Sequence, residues 1–303
     1  MAREKLTLPE RLGFHGRKIK RENQKKASPL PEFISQTPGN DYIEKIFRLP
    51  LGEGRCKLNL KSIYGNIVIS GYDCNMVYAK VMYKPKKSDG DIKFTVNDDN
   101  EYFLDCDEKS FASVWIEVHM PARFFREIQL RADHGKILLS NVSTGHLSVR
   151  GSAVSKLKNI FAADLFLETA QKSAHLLNVA AMKGQINLTG GSLNATCLDI
   201  KDLVISAGNS PIVIRAGCDR YNDYKWNIKS REEKINVNLP HKHELGYYIL
   251  AEARAGGVKM ALRNMDILIG GHNFIEAKSK DYKDLPKRFN LELTAVKAPV
   301  VIS

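Results

Sequence analysis

The stretch His134–Gly135–Lys136–Ile137–Leu138–Leu139–Ser140 (HGKILLS) decides the fold, because close variants of it return along the chain. YGNIVIS begins at Tyr64, KGQINLT at Lys183 and AGGVKMA at Ala255, while NSPIVIR from Asn209 and KAPVVIS from Lys297 carry a proline in place of the glycine. Each copy sets a turn-forming dipeptide before an apolar–x–apolar core, which is punctuation followed by a period-two strand. The reading places Gly135 and Gly184 in turns with positive φ.

Working outward, alternating strand openings fall at Ile128, Leu147, Leu165, Ile186 and Leu203. Self-similarity at about 20 residues predicts stacked β-units, none of which can bury its apolar face without neighbours. AADLFLETAQKSAHLLNVAAM (162–182) also admits a helical reading, but its flanks alternate, so strands are expected. Upstream, the segments from Ile43 to Pro121 read as a small antiparallel layer, with SVWIEVHMP closing one strand. Downstream of Gly217, six more short strands follow, interrupted by a polar excursion from Gly270 to Arg288. Its Lys278, Lys280, Lys283, Lys287 and Arg288 suggest a cover for an open strand edge, since lysine discourages edge pairing.

The chain has 303 residues and a net charge of +12, with 43% hydrophobic and 26% charged residues, as in ordinary globular proteins. Residues 1–38 hold nine Lys/Arg against four Glu, a net +5. The expected division is a basic, largely disordered tail with a Pro-rich linker over 1–40, and a β-strand-repeat domain over 41–303, most regular at 128–217. Arg17, Lys18, Lys20, Arg21, Lys25 and Lys26 are the candidate contacts with an anionic membrane or polyanion. Phe14 and Phe33 are available to insert or stack. Alternatively, Leu6, Leu8, Leu12 and Phe14 cap the first unit.

Five scattered cysteines without a CxxC, the absence of a leader-like apolar run, and the lack of any apolar span of membrane-crossing length predict a cytoplasmic protein, at most peripheral at the inner face of a membrane.

In order, YGNIVISGYDCNMVYAKVMY (64–83), the proline-ended strand VWIEVHMP, the HGKILLSNVSTGHLSV phrases, and the closing INVNLP, GGVKMAL and FNLELTAVKAPVVIS resemble the putative-adhesin family of bacterial β-strand-repeat proteins over residues 43–303. The resemblance implies a right-handed β-solenoid or β-helix and carries no catalytic residues with it.

Candidate chemistry is sparse. The acidic groups Asp89/Asp91, Asp98/Asp99/Glu101 and Asp105/Asp107/Glu108 lack calcium-loop spacing and read as solvated turns. His241, His243 and Glu244 offer no third convergent ligand for zinc. Asp164, Asp199, Asp202, Asp219 and Arg220 are the acids and base available to a glycan-cleaving site, with no spacing that brings them together. Tyr221, Tyr224 and Trp226 read as a cap on the open core. The expectation is therefore a scaffold or surface-interaction protein without enzymatic activity, cofactor, metal or specific nucleic-acid recognition, meeting protein partners or its own copies through β faces or unit ends. A carbohydrate-active parallel β-helix enzyme, a lyase or hydrolase, is the alternative.

Overall fold

A computed structural model describes residue 33 and residues 41–303 other than 53, 63, 87–90, 153 and 154. Among the described residues there is no α-helix, and one 3-10 turn, Glu108–Ser110, interrupts 21 strands that join in a single hydrogen-bonded sheet system not closed into a barrel. Its centre consists of four 15-residue strands: β9 (Ile137–Gly151), β10 (Ser155–Thr169), β11 (Ala174–Leu188) and β12 (Leu193–Ala207). They pair parallel, Ile137 to Ser155, Ser155 to Ala174 and Ala174 to Leu193, so successive rungs follow at an almost constant interval. The segment open to a helical reading is strand apart from the turn at 170–173.

The strand openings look irregularly spaced in the sequence because one of them is not at Ile186. Ile128, Leu147, Leu165, Gly184 and Leu203 form one column, and Gly184 is the in-register residue. A glycine in an otherwise aliphatic column hides the period.

The long strands are bent. Asn141, Asn159, Asn178 and Cys197 have φ of 58°, 54°, 54° and 54°, and at each of them the buried–exposed alternation resets. Asparagine tolerates the left-handed region better than most residues, so each strand turns a corner there without losing its ladder. Three faces result: a first over 137–140, a second over 142–144 and a third over 146–151, repeated in each rung. The corner asparagines also bond to one another, Asn159 Nδ2 donating to Asn141 Oδ1 at 2.8 Å and Asn178 Nδ2 to Asn159 Oδ1 at 3.0 Å. Asn159→Val is expected to cost about 3 kcal/mol in urea unfolding, from roughly 1–2 kcal/mol for the left-handed backbone and about 1 kcal/mol for each exposed ladder bond. Asn159→Gly, which keeps the backbone, should lose only about 1–2 kcal/mol. Equal losses would show that the corner is not conformationally demanding.

The repeated phrase now has a spatial meaning. Ile67 pairs with Ile137, Ile212 with Ile235, and Val300 with both Ile235 and Val258. The copies from Tyr64, His134, Asn209, Ala255 and Lys297 thus all open the first face. The copy from Lys183 lies on the third face and is not equivalent.

Positive φ at Gly135 and Gly184 does not occur; among the described glycines only Gly54 and Gly191 have it. Gly135 is required for close approach instead, since a Cβ there would sit 1.5 Å from the Gly65 carbonyl oxygen.

Chain order breaks down at both ends. β2 (Cys56–Ser62) and β3 (Ile67–Tyr72) are parallel strands held between β8 (Phe125–Ala132) with β9 on one side and β6 (Glu101–Asp105) with β7 (Phe111–Pro121) on the other. The expected antiparallel layer is real only farther out, where β4 (Met76–Pro85) pairs with β7, β1 (Ile43–Pro50) with β4, and β5 (Lys93–Val96) with β6. At the other end β12 is followed by β13 (Ile212–Ala216) and β14 (Asp223–Ser230), and β15 (Ile235–Asn238) lies on β13. The C-terminal strands β20 (Lys287–Ala295) and β21 (Val300–Ile302) come next, ahead of β16 (Leu245–Ala253) and β17 (Val258–Met260).

The excursion expected to be a lysine-rich cover is largely structured. β18 (Met265–Gly270) and β19 (Phe274–Ser279) form a hairpin whose β19 covers the edge of β16, whereas Lys287 and Arg288 belong to the interior strand β20. The outermost strand is β18, where Ile267, Leu268 and Ile269 are about half exposed.

Candidate binding groove

The bend between second and third faces sets the outward residues of six parallel strands in straight rows. The first row runs Glu127, His146, Asp164, Lys183, Asp202 and Lys225, each opposite the next in the parallel register. Two residues on, a second row runs Gln129, Ser148, Phe166, Gln185, Val204 and Asn227. Together with the aliphatic column between them, these rows line a groove of about 870 Å³. At about 4.8 Å per strand, six strands give a row roughly 24 Å long.

From Asp164 to Lys225 the charges of the first row alternate in sign. His146 Nδ1 lies 2.8 Å from Asp164 Oδ2, and Lys183 stands in register between Asp164 and Asp202. In the second row Gln129 donates to Glu127 at 2.6 Å and Asn227 to Glu292 at 2.8 Å. The Arg150 guanidinium sits over the Phe166 ring, 5.1 Å from its centroid, and 3.7 Å from Glu168.

Of the acids proposed from sequence, the structure puts Asp164 and Asp202 in this groove, two strands apart with Lys183 between them. Asp199, Asp219 and Arg220 do come together elsewhere, but as a loop anchor. Buried Asp199 accepts from the backbone N–H of Asp219 (3.1 Å) and Arg220 (3.2 Å) and from the Tyr224 hydroxyl (2.8 Å). This tie fastens the loop that ends the second face.

Gly217 N–H caps the Leu198 carbonyl at 2.8 Å, and the Trp226 indole caps that of Ile200 at 2.6 Å. Tyr224 and Trp226 pack on Phe289 with centroids 5.4 and 4.9 Å away. The aromatic group does not cap the end of the stack as expected: Tyr224 and Trp226 belong to β14, paired with both β12 and β20, and there the Trp226 indole closes the open end of the second face.

The remaining candidates disperse. Asp91 pairs with Lys45, Glu101 with Asn59, and Asp107 with the Lys109 N–H and Ser110 hydroxyl; Asp89 lies outside the described residues. His241 and His243 are exposed, and Glu244 bonds Lys287 at 2.7 Å. Among the described residues no three His, Cys, Asp or Glu converge, and no helix is long and apolar enough to cross a membrane.

The basic cluster Arg17, Lys18, Lys20, Arg21, Lys25 and Lys26 lies outside the described residues, as do Leu6, Leu8, Leu12 and Phe14. Phe33 is not free to insert elsewhere: it meets the buried His119 ring edge-on at 4.8 Å, and His119 stacks on Tyr72 and lies 2.9 Å from Glu117.

The fold is that of an all-β strand-repeat protein. It is similar to a solved putative adhesin from Bacteroides fragilis NCTC 9343, with 12% identity, a TM-score of 0.50, and coverage of 89% of this chain and 100% of that one. A putative adhesin from Parabacteroides distasonis ATCC 8503 is more distant, with 8% identity, a TM-score of 0.44, and coverage of 86% and 97%. The resemblance read from the sequence thus finds its counterpart in the solved Bacteroides fragilis structure named as a putative adhesin. No family model matches the chain, and no curated protein matches it.

Proposed function

We propose that the protein is a non-enzymatic, adhesin-like scaffold, a right-handed β-solenoid whose third face is its binding surface. The carrying observation is the groove itself. One outward side chain per rung, repeated over six parallel strands, makes a continuous strip rather than a pocket around one reacting atom. The parallel crossovers accord with right-handed winding, the hand favoured by strand twist.

A glycan-cleaving site needs a carboxyl kept protonated beside one kept ionised. Asp164 and Asp202 instead stand two strands apart with Lys183 between them, so neither carboxyl lies beside the other. The name of the similar Bacteroides fragilis structure supports the same reading.

The test is binding of fluorescently labelled protein to bacterial cells, against a Ser148→Arg/Gln185→Arg variant that crowds the groove with two guanidinium groups. The expected result is retention of the parent and loss of the variant, with no shortening of any soluble polysaccharide incubated with either. Equal retention would remove the groove from the function, and polymer cleavage would replace the scaffold with an enzyme.

A further inference from the structure

We infer that the groove takes a linear, uncharged glycan laid along the stack axis, an assignment that rests on the third face being the binding surface. The middle row carries no ionisable group: Gln129, Ser148, Phe166, Gln185, Val204 and Asn227 succeed one another across six strands. In a chain with 26% charged residues, six outward neutral positions in line define a chemical strip.

Of the rows on either side, the first mixes both signs, and the other runs Arg131, Arg150, Glu168, Asn187, Ser206 and Lys229. His146 lies 2.8 Å from Asp164, Arg150 pairs with Glu168 and Arg131 with Asp133, and the first row alternates sign from Asp164 to Lys225. Most cations of both flanks thus stand beside a carboxylate rather than in the unopposed run that binds a polyanion.

A peptide strand is disfavoured for a different reason. Strand addition requires an open edge with free N–H and C=O groups, and each strand from β8 to β14 on this face is paired on both sides.

What the strip offers is side-chain amides and hydroxyls for equatorial or axial OH groups, and apolar surface at Phe166 and Val204 for the C–H face of a sugar ring. Gln185, exposed and without a side-chain partner among the described residues, is the free amide beside Phe166 across the parallel register. Arg150 covers one side of the Phe166 ring and thereby fixes the ring's position.

The spacing adds a geometric argument. Recognition groups recur once per strand, about every 4.8 Å, so a polymer with a short, regular repeat engages several rungs in the same way. A compact ligand would use one or two rungs and leave the remaining length of the groove without purpose.

The experiment is an array of linear glycans, both neutral (glucans, mannans, xylans) and uronate-containing, followed by calorimetric titration with a neutral hexasaccharide of the retained type. Retention of at least one neutral glycan and of no uronate polymer is expected, with an affinity unchanged by added salt. Phe166→Ala and Gln185→Ala should each weaken titrated binding about tenfold, the loss of one good contact, while Val213→Ala on the first face leaves it unchanged. Both groove residues are outward-facing, so the variants should keep the parent's melting temperature. Silence of every neutral glycan, preference for uronates, or indifference to both groove substitutions would overturn the inference. If the array is silent while cell binding is still lost in the Ser148→Arg/Gln185→Arg variant, the groove remains a binding surface and only the ligand class falls.

Discussion

Gly135→Val is expected to lower stability by about 3 kcal/mol or more, read as a fall in the urea midpoint, or to prevent folding altogether. A Cβ at this position would lie 1.5 Å from the Gly65 carbonyl oxygen and 2.3 Å from its carbon, both backbone atoms. The neighbouring turn cannot retreat without a cost. Ile67 N–H bonds the Lys136 carbonyl at 2.9 Å, Lys136 N–H bonds Asn66 Oδ1 at 2.9 Å, and the rings of Tyr64 and His134 stack 4.9 Å apart. Relief requires separating two rungs that these contacts hold together. Overpacking of flexible side chains typically costs about 1–3 kcal/mol, and a backbone-on-backbone clash belongs at or above the upper end.

Gly184→Ala gives the contrast. Its Cβ would meet methyl ends, Ile200 Cδ1 at 2.9 Å and Leu203 Cδ1 at 3.2 Å, which can rotate. Relief of the glycine's own strand penalty, roughly 0.5–1 kcal/mol, offsets part of the crowding. The expected change is within about 1 kcal/mol. A Gly135 variant as stable as Gly184→Ala would refute rung stacking as the reason for the recurring glycine.

The same two glycines mark the boundary of what local sequence reveals. Period-two alternation and regularly recurring strand openings suffice for an all-β stack, because both follow from which side chains must face inward. Equivalence between copies does not follow from them, because Tyr64 and His134 become neighbours only when β3 pairs with β9, past every strand that lies between them in the chain. The insertion of β20 between β14 and β16 is likewise invisible to any local rule. A signal for the corners is present: Asn141, Asn159 and Asn178 recur at rung spacing, each next to an aliphatic residue. The groove leaves little trace, since Glu127, Gln129, Lys183 and Gln185 are ordinary outward residues until the register lines them up. Asp164 and Asp202 are legible as candidate acids, but their separation acquires meaning only when one rung, that of Lys183, is seen to divide them. Asp199 shows the converse case: its partners at Asp219 and Arg220 lie one rung away, and the contact is a structural tie.

That tie lies within a group of buried phenols, and a steep loss of stability in alkali is expected from it. Tyr224 and Tyr247 are buried, and Tyr221 is partly so. Burial pushes the Tyr221 hydroxyl up to about 12, with the Asp199 carboxylate adding to the shift and Arg220 opposing it. Burial raises Tyr224 and Tyr247 as well, and Cys218 beside them. In the unfolded chain a tyrosine ionises near its ordinary value of 10.0 and a cysteine near 9.0. Above those values the unfolded state holds fewer protons than the folded one, so stability falls as pH rises. The full contribution is present below about pH 9, and Tyr221's share is lost across the interval from about 10 to about 12. For the deeply buried Tyr224 and Tyr247 the fall is about 1.4 kcal/mol per pH unit each once the unfolded phenols are ionised.

Two substitutions separate this effect from general alkaline damage. The Tyr221 hydroxyl is buried without a hydrogen-bond partner among the described residues, so Tyr221→Phe should leave neutral stability unchanged or slightly higher, because removing an unpaired polar group removes its desolvation cost. Its unfolding midpoint should also decline less steeply above about pH 10. Tyr224→Phe removes the bond to Asp199 at 2.8 Å and leaves the Arg220 and Tyr221 N–H groups without the phenol oxygen they share. It should therefore be destabilised by about 2–3 kcal/mol at neutral pH, as for a hydrogen bond to a charged group, yet have the flatter alkaline limb. Parallel curves for parent and both variants, in urea midpoints measured from neutral pH into alkali, would mean that the phenols ionise without unfolding the loop. Asp199 would then be holding a segment that opens independently of the stack.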